Sequence, residues 1–208
     1  WLGKILTIVG KTVGKKSSSS PGAYALKICP DLVKGLEKCV SKGIIVTCGT
    51  NGKTTTNNLM ASALEAKGYK VICNKLGANM LSGIATTVLQ EMSIFGKLKA
   101  DYACLEIDEA YTPIVFDYVK PDVMVITNLF RDQLDRYGEI DITSDIIKRA
   151  IKKVPNLKLV LNGDDPLCVQ FGREENVKAY YYGISEKVLP QLDDTKEGRF
   201  CPVCGEEQ

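Results

Sequence analysis

The sequence contains no histidine among its 208 residues. This absence excludes Ser-His and Cys-His nucleophile pairs, imidazole general bases and histidine ligands for metals. Long apolar runs are also missing, since no stretch approaches the about 18 residues that a membrane-spanning helix requires. Neither sign of charge is in large excess, since the formal net charge is +2. A nucleic-acid partner is therefore not expected.

The sequence has the composition of an ordinary globular domain. Apolar residues make up 45% and charged residues 25% of the chain, as in soluble single domains. The eight cysteines are scattered rather than arranged as a disulfide framework, which indicates a reducing compartment. We therefore predict a cytoplasmic protein, with the inner face of the cell membrane as a further location if the basic N-terminal segment binds lipid.

The most informative stretch is a glycine-rich loop, Gly49-Thr50-Asn51-Gly52-Lys53-Thr54-Thr55. A β-branched run at residues 43–48 precedes it and predicts a buried parallel strand, and apolar residues at helical spacing follow it. A strand, a glycine loop and a helix opening with Lys-Thr form the arrangement that binds nucleotide phosphates. Thr47 stands where the strict phosphate-loop pattern has its first glycine. We predict phosphate binding by residues 49–55, with the Thr54 hydroxyl on magnesium; a chance Gly-Lys-Thr is the alternative.

Strands and helices alternate after this loop. This alternation predicts an α/β fold, a mostly parallel sheet with helices on both faces. Ligands of such sheets bind outside the carboxyl ends of the strands, where the phosphate loop lies. The predicted strands are 69–73, 101–107, 122–127, 157–161 and 177–182, and the predicted helices are 81–95, 111–118, 142–154 and 165–170.

Polar side chains follow the other predicted strands at the same edge of the sheet. Glu106 ends the third strand and is followed by Asp108 and Glu109. A carboxylate beside a phosphate loop commonly holds magnesium, so we predict Glu106 as a magnesium ligand. The alternative is that these three acids cap the next helix, where negative charge complements the helix dipole.

Two asparagines end the next two predicted strands. Asn128 follows Thr127, and Asn162 opens Asn-Gly-Asp-Asp-Pro. We predict both asparagines as nucleotide contacts, because the Asn162 amide has the donor and the acceptor that adenine recognition needs. Solvated surface is the alternative for the polar loop after Asn128. The Asp165-Pro pair is typical of a helix start.

The N-terminal region is basic and amphipathic. Residues 1–16 carry four lysines between apolar residues and predict a helix docked on the domain; contact with an anionic membrane or a partner is the alternative. Residues 17–22 are predicted to form a linker or turn. We expect residues 1–40 to form this segment and linker, and residues 41–195 to form an ATPase domain.

A cysteine pair lies near the end of the sequence. Cys201-Pro-Val-Cys204-Gly has the spacing of one half of a structural zinc site. A complete site needs a second pair, so we expect residues 196–208 to be the first half of a zinc ribbon and the chain to be a fragment without its C-terminal domain. A redox Cys-x-x-Cys is the alternative.

Three motifs in order resemble the central ATPase domain of the Mur ligases. They are Gly-Thr-Asn-Gly-Lys-Thr-Thr, Thr-Asn followed by Asp-x-Leu-Asp, and Asn-x-Asp-Asp-Pro, and they cover about residues 40–185. Within this family the chain resembles the MurT subfamily, the ATP-dependent subunits of lipid II isoglutaminyl synthase. Gln133 replaces the Mur loop histidine, the segment before the loop is short, and the cysteine pair resembles the start of a four-cysteine zinc ribbon.

The resemblance implies roles for individual residues. Lys53 and the amides of residues 49–54 would hold the ATP phosphates, Thr54 and Glu106 would serve the first magnesium, and Asn162 would lie near adenine. Lys53 and Glu106 are thus the expected catalytic residues. Lys148 falls where several Mur ligases carry a carbamylated lysine. Because Gln133 replaces its histidine partner, we expect an ordinary surface lysine.

The resemblance also implies a reaction. It is ATP-dependent amidation of the D-glutamate α-carboxylate in the lipid II stem peptide, through an acyl phosphate, with ammonia from a GatD-like glutaminase partner. An amino-acid-adding Mur or folylpolyglutamate ligase shares the first step and is the alternative enzyme. A non-catalytic nucleotide-dependent switch is the alternative from another class.

Overall fold

The computed structural model describes residues 19–74, 78–93, 95–129, 139–173 and 177–184, without the side chains of residues 139–141. Strands and helices alternate along these residues. In chain order they are α1 (Ser20–Ile28), β1 (Val40–Cys48), α2 (Lys53–Ala66), β2 (Val71–Cys73), α3 (Leu81–Glu91), β3 (Ala100–Glu106), α4 (Thr112–Tyr118), β4 (Val123–Ile126), α5 (Glu139–Lys152), β5 (Lys158–Asn162), α6 (Pro166–Val169) and β6 (Lys178–Tyr182), with 3₁₀ turns at Leu36–Lys38, Glu109–Tyr111 and Gln170–Arg173.

The strands form one sheet in the order β2-β3-β1-β4-β5-β6. Every strand pair in it is parallel, which confirms the predicted α/β class. β1 lies between β3 and β4, so the loop that follows β1 is flanked by the carboxyl ends of both neighbours. The register pairs Thr47 of β1 with Glu106 of β3. The sheet therefore brings the predicted phosphate loop and the predicted magnesium ligand together.

The helices lie on both faces of the sheet. The chain passes from β1 to β2 in one direction across the sheet, and from β2 onwards to β6 in the other. Because crossovers between parallel strands are right-handed, α2 lies on the face opposite to α3, α4 and α5. The contacts agree, since α4 packs against α5 and α2 packs against β1, β2 and β3. The largest fully buried side chains include Phe116, Phe171, Ile44, Leu105, Met124 and Leu159.

Helix α1 corrects the predicted linker. Residues 17–22 read as a turn because they are rich in Ser, Pro and Gly, yet Ser20 already begins α1. The amide of Gly22 donates to Thr86 Oγ1 of α3 at 2.9 Å. A Cβ atom on Gly22 would lie 2.0 Å from the carbonyl oxygen of Ser82. The missing side chain therefore allows two helix backbones to approach closely, and tertiary packing outweighs the local turn preference.

The third helix is shorter than predicted. It ends at Glu91 rather than at residue 95, because a turn closes between Ser93 and Gly96, whose φ is +76°. Phe95, the last residue of the predicted helix, is 77% exposed. The bounds of β3, β4, β5 and β6 agree with the predicted strands within one residue at each end.

Several predictions fall on other parts of the chain. The basic segment 1–16, Gln133, Cys201 and Cys204 lie outside the described residues, so the predicted zinc ribbon and domain limits stay predictions. Within the described residues, no helix has the length and apolar character needed to cross a bilayer.

Candidate nucleotide-binding site

Two glycines shape the loop between β1 and α2. Gly49 has a φ of +127° and Gly52 has a φ of +78°, both in the region that favours glycine. A Cβ atom on Gly49 would also lie 2.3 Å from Thr127 Oγ1 and 2.8 Å from the carbonyl oxygen of Asn128. Gly49 is therefore required both by its backbone conformation and by the close approach of β4.

The carboxyl end of β4 fixes the conformation of this loop. Asn128 Oδ1 accepts the Asn51 N–H at 2.8 Å, and Asn128 Nδ2 donates to the Asn51 carbonyl at 3.0 Å. The Thr50 N–H donates to the Asn128 carbonyl at 2.8 Å, and Thr127 Oγ1 donates to the Asn51 carbonyl at 2.7 Å. The observed contacts of the Asn128 side chain shape the loop, and its contact with the nucleotide stays a prediction.

The start of α2 provides the donors for an anion. Lys53 opens the helix, and none of the side chains that the structure describes caps it. The N–H groups of a helix's first turn have no partner within the helix and carry the positive end of its dipole. Thr54 and Thr55 lie exposed in this first turn. Since the Thr50 and Asn51 amides are paired with Asn128, this turn is the part of the predicted loop best placed to meet phosphate oxygens.

The ammonium group of Lys53 lies back on the loop. Its Nζ donates to the carbonyl of Gly49, to the carbonyl of Thr50 at 3.1 Å and to Glu109 Oε1 at 3.2 Å. The side chains of Lys53 and Glu109 are each only 14% exposed. A full positive charge thus lies beside the uncapped helix start, as phosphate binding requires.

Glu106 presents a buried carboxylate at the end of β3. The residue is 3% exposed, and its Oε2 has no hydrogen-bond partner among the described residues. Asn74 holds its backbone, because Asn74 Oδ1 accepts the Glu106 N–H and Asn74 Nδ2 donates to the Glu106 carbonyl, both at 2.8 Å. A buried, unpaired carboxylate oxygen is costly unless a cation or donor meets it. Its chemistry therefore fits Mg²⁺, which prefers oxygen ligands.

The Asn162 amide connects the ends of β4 and β5. Its Nδ2 donates to the Thr127 carbonyl at 3.0 Å, and its Oδ1 accepts the Asp164 N–H at 3.0 Å. The same residue therefore supports Thr127, which itself contacts the loop. Adenine contact by Asn162 stays a prediction.

Asp165, in the turn after β5, also contacts the segment that follows β4. Its Oδ1 accepts the Leu167 N–H at 2.9 Å and caps α6, as predicted for a helix start, while its Oδ2 accepts the Leu129 N–H at 2.8 Å. The residue is 7% exposed. One carboxylate thus fixes both the start of α6 and the segment that follows β4.

The sequence matches the family model described as the Mur ligase middle domain over residues 46–201. The chain therefore belongs to the Mur ligase family. This agrees with the resemblance carried by the three strand-end motifs.

Relatives within this family include subunits of one enzyme. MurT of lipid II isoglutaminyl synthase (glutamine-hydrolyzing) from Staphylococcus aureus strain COL is 37% identical over 98% of this chain, which covers 45% of that relative. The same subunit from Streptococcus pneumoniae is 39% identical over 91% of this chain and 41% of that relative. The chain thus spans less than half the length of the curated relatives it matches.

Solved Mur ligases share the fold. The MurF ligase from Thermotoga maritima in complex with ADP has a TM-score of 0.60 and 19% identity, over 79% of this chain and 37% of that chain. MurF from Acinetobacter baumannii has a TM-score of 0.58 and 18% identity, over 71% and 32%. At 18–19% sequence identity, this similarity establishes a shared fold.

Lys148, for which the resemblance raised carbamylation and we expect an ordinary surface lysine, lies half-buried on α5. This helix packs against the 3₁₀ turn Glu109–Tyr111, and Glu109 of that turn contacts Lys53. Carbamylation of Lys148 stays a prediction of the resemblance.

No group of three Cys, Asp or Glu side chains suited to a metal occurs in the described part of the chain, so a magnesium site there would depend on Glu106, hydroxyl groups and phosphate oxygens.

The buried thiols near the site are unreactive. Burial raises the pKa of Cys48 well above its usual value; the Glu109 charge raises it further, and the Lys53 charge opposes the shift. Burial also raises the pKa of Cys104 to about 12. These groups stay protonated at neutral pH and behave as small core residues.

Replacing Gly49 with alanine is expected to disrupt the loop. The new Cβ would overlap Thr127 Oγ1, and the left-handed backbone would be strained. We expect a loss of about 2 kcal/mol in unfolding free energy and a loss of ADP binding measured by calorimetry. Gly68→Ala is the matched control, since Gly68 also has a positive φ but open space around its Cβ. If Gly49→Ala bound ADP as tightly as Gly68→Ala, this loop would not be the phosphate site.

Proposed function

We propose that this protein is the ATP-dependent subunit of a carbon–nitrogen ligase in peptidoglycan synthesis. Its reaction would convert the D-glutamate α-carboxylate of the lipid II stem peptide to the amide, D-isoglutamine. The similarity to two MurT subunits over 91–98% of the chain carries this proposal. The phosphate loop and the Glu106 carboxylate supply the site that such a reaction requires.

The site residues divide between the nucleotide and its metal. Lys53 and the uncapped first turn of α2 would bind the ATP phosphates, and Thr54 and Glu106 would hold Mg²⁺. Bound Mg²⁺ would neutralise charge on the phosphoryl group during transfer. The Oε2 atom of Glu106, for which the described part of the chain offers no hydrogen-bond partner, supports this assignment.

The chemistry would run in two displacements. An oxygen of the substrate carboxylate attacks the γ-phosphorus of ATP, and the bond to the ADP oxygen breaks, which yields an acyl phosphate. Ammonia then attacks the acyl carbon, phosphate leaves, and a proton is lost to give the amide. Lys53 stabilises the charge that develops on the transferring group, and the loop orients it.

A glutaminase subunit is the proposed source of ammonia. The relatives are named as subunits of a glutamine-hydrolyzing enzyme, which supports a complex with a partner. We propose a GatD-like partner that forms a heterodimer with this protein.

The deciding experiment combines the intact protein with a candidate glutaminase, lipid II, MgATP and glutamine, followed by mass spectrometry of the lipid product. Replacement of a hydroxyl group by an amide on the glutamate, dependent on ATP, is the expected result. A mass gain of one amino-acid residue would instead identify an amino-acid-adding ligase. Unchanged lipid II with ATP still bound would favour a nucleotide-dependent switch.

The cysteine pair Cys201 and Cys204 would contribute half of a structural zinc site. Their Cys-x-x-Cys-Gly spacing supports this assignment. Metal analysis of the purified intact protein tests it. We expect bound zinc in the wild type and its loss in Cys204→Ser, and a metal-free wild type would refute it.

The N-terminal segment would approach an anionic membrane, where a lipid-linked substrate resides. Residues 1–16 contain four lysines and no acidic residue, and each lysine near such a surface contributes about 1 kcal/mol. Co-sedimentation with phosphatidylglycerol vesicles tests this. Binding that is equal with phosphatidylcholine vesicles would oppose it.

A further inference from the structure

The ammonium group of Lys53 has no spare donor. It carries three N–H groups, and it has three acceptors in Gly49 O, Thr50 O and Glu109 Oε1. A phosphate oxygen can therefore bind Lys53 only by replacing one of these acceptors. The identity of the replaced acceptor decides how nucleotide binding changes the site.

Two of the three acceptors belong to a backbone that is fixed from outside. The Thr50 N–H and the backbone N–H and carbonyl of Asn51 are hydrogen-bonded to Asn128 or Thr127. Moving the carbonyls of Gly49 and Thr50 would disturb that network. The third acceptor is the end of a side chain, which leaves by rotation about its own bonds.

Glu109 is aimed at Lys53 by a well-held turn. Asp108 Oδ1 accepts the Ala110 N–H at 3.0 Å at the start of the 3₁₀ turn, and Thr112 Oγ1 donates to the Glu109 carbonyl at 2.7 Å. The turn also packs against α5. The Glu109 backbone therefore stays in place while its carboxylate is free to exchange.

We propose that Glu109 is a positioning residue that occupies the place of a phosphate oxygen. Without nucleotide it holds Lys53 against the loop; when nucleotide binds, a phosphate oxygen replaces the Glu109 carboxylate. This inference rests on the proposed nucleotide binding. Glu109 thus competes with the phosphate for Lys53, so it lowers the affinity for nucleotide. Its carboxylate moves away from Lys53 when nucleotide binds.

Glu109→Gln in the intact protein tests this role by calorimetry with ADP and magnesium, and with adenosine. The amide keeps the size of the side chain but removes the charge that competes with phosphate. We expect ADP to bind about tenfold more tightly, in line with the loss of one charge-assisted hydrogen bond. Adenosine, which lacks phosphate, should show no change, whereas a purely structural effect would alter both ligands.

Asp108→Asn is the matched control. It removes the same charge one residue away, and its amide oxygen still accepts the Ala110 N–H. We expect less than a threefold change in ADP affinity. Glu109→Ala is the second variant, and thermal unfolding without nucleotide verifies that each variant is folded.

The outcomes separate two failures. If the wild type binds no ADP, the proposed nucleotide function is wrong. If the wild type binds ADP and Glu109→Gln matches Asp108→Asn, Glu109 does not compete with phosphate and the inference fails. Weaker ADP binding by Glu109→Gln would also overturn it, because the carboxylate would then contribute to the bound state.

Discussion

Lys53→Ala is expected to weaken ATP binding by the intact protein by about 100-fold and to stop product formation. The ammonium group is the full positive charge that the described loop directs to the helix start, and it is largely shielded from water. Its contribution is therefore larger than that of an exposed lysine. The fold should persist, since alanine favours the first turn of a helix.

Lys67→Ala separates the local effect from a general loss of charge. Lys67 is exposed and ends the same helix at its other terminus, about 20 Å away from the helix rise alone. Calorimetry with ATP should show unchanged binding for Lys67→Ala. Equal binding by Lys53→Ala and the wild type would remove the loop from the nucleotide site, and the functional assignment would lose its structural support.

The sheet and its functional edge were predictable from the sequence because local patterns determine them. Apolar runs at β1, β4 and β5 indicate strands buried in the sheet. Once these strands are parallel, their carboxyl ends share one edge, so Glu106, Thr127 and Asn162 were expected at the edge that carries the loop. Their distance from the loop depends on the strand order, which places β3 and β4 beside β1.

The contacts within the site were not predictable, because they join distant residues. Asn128 meets Asn51 across 77 positions, and Glu109 meets Lys53 across 56. Which of two neighbouring acids reaches the lysine depends on the 3₁₀ turn after β3, and the sequence gives no periodic signal for that turn. Asn74 likewise holds the backbone of Glu106 across 32 positions.

Helix α1 shows where local preference misleads. Serine, proline and glycine predict a turn, but Gly22 is retained in a helix because α3 leaves no room for a side chain. Packing against another element is invisible in a single sequence. The same limit applies to Phe95, where the sequence pattern continued past the turn that ends α3.

Glu106→Gln is expected to abolish the magnesium dependence of nucleotide binding and to lower activity by about 100-fold. The substitution keeps the size of the side chain but replaces a carboxylate oxygen, the ligand that Mg²⁺ prefers, with a weaker donor set. The thermal stability of the unliganded variant, in contrast, should rise or stay the same. The Oε2 atom is buried without a hydrogen-bond partner in the described residues, and an amide is less costly to bury than a charge.

Two measurements on the intact protein test this pair of effects: calorimetry with ATP in magnesium or EDTA, and thermal unfolding without ligand. Asp108→Asn is the control, because it removes one charge from the adjoining turn without touching a buried oxygen. A variant that is as stable as the wild type or more so, yet inactive, would mean that Glu106 is kept for its ligand rather than for the fold. A variant that keeps its magnesium dependence would show that the Glu106 carboxylate is not a magnesium ligand.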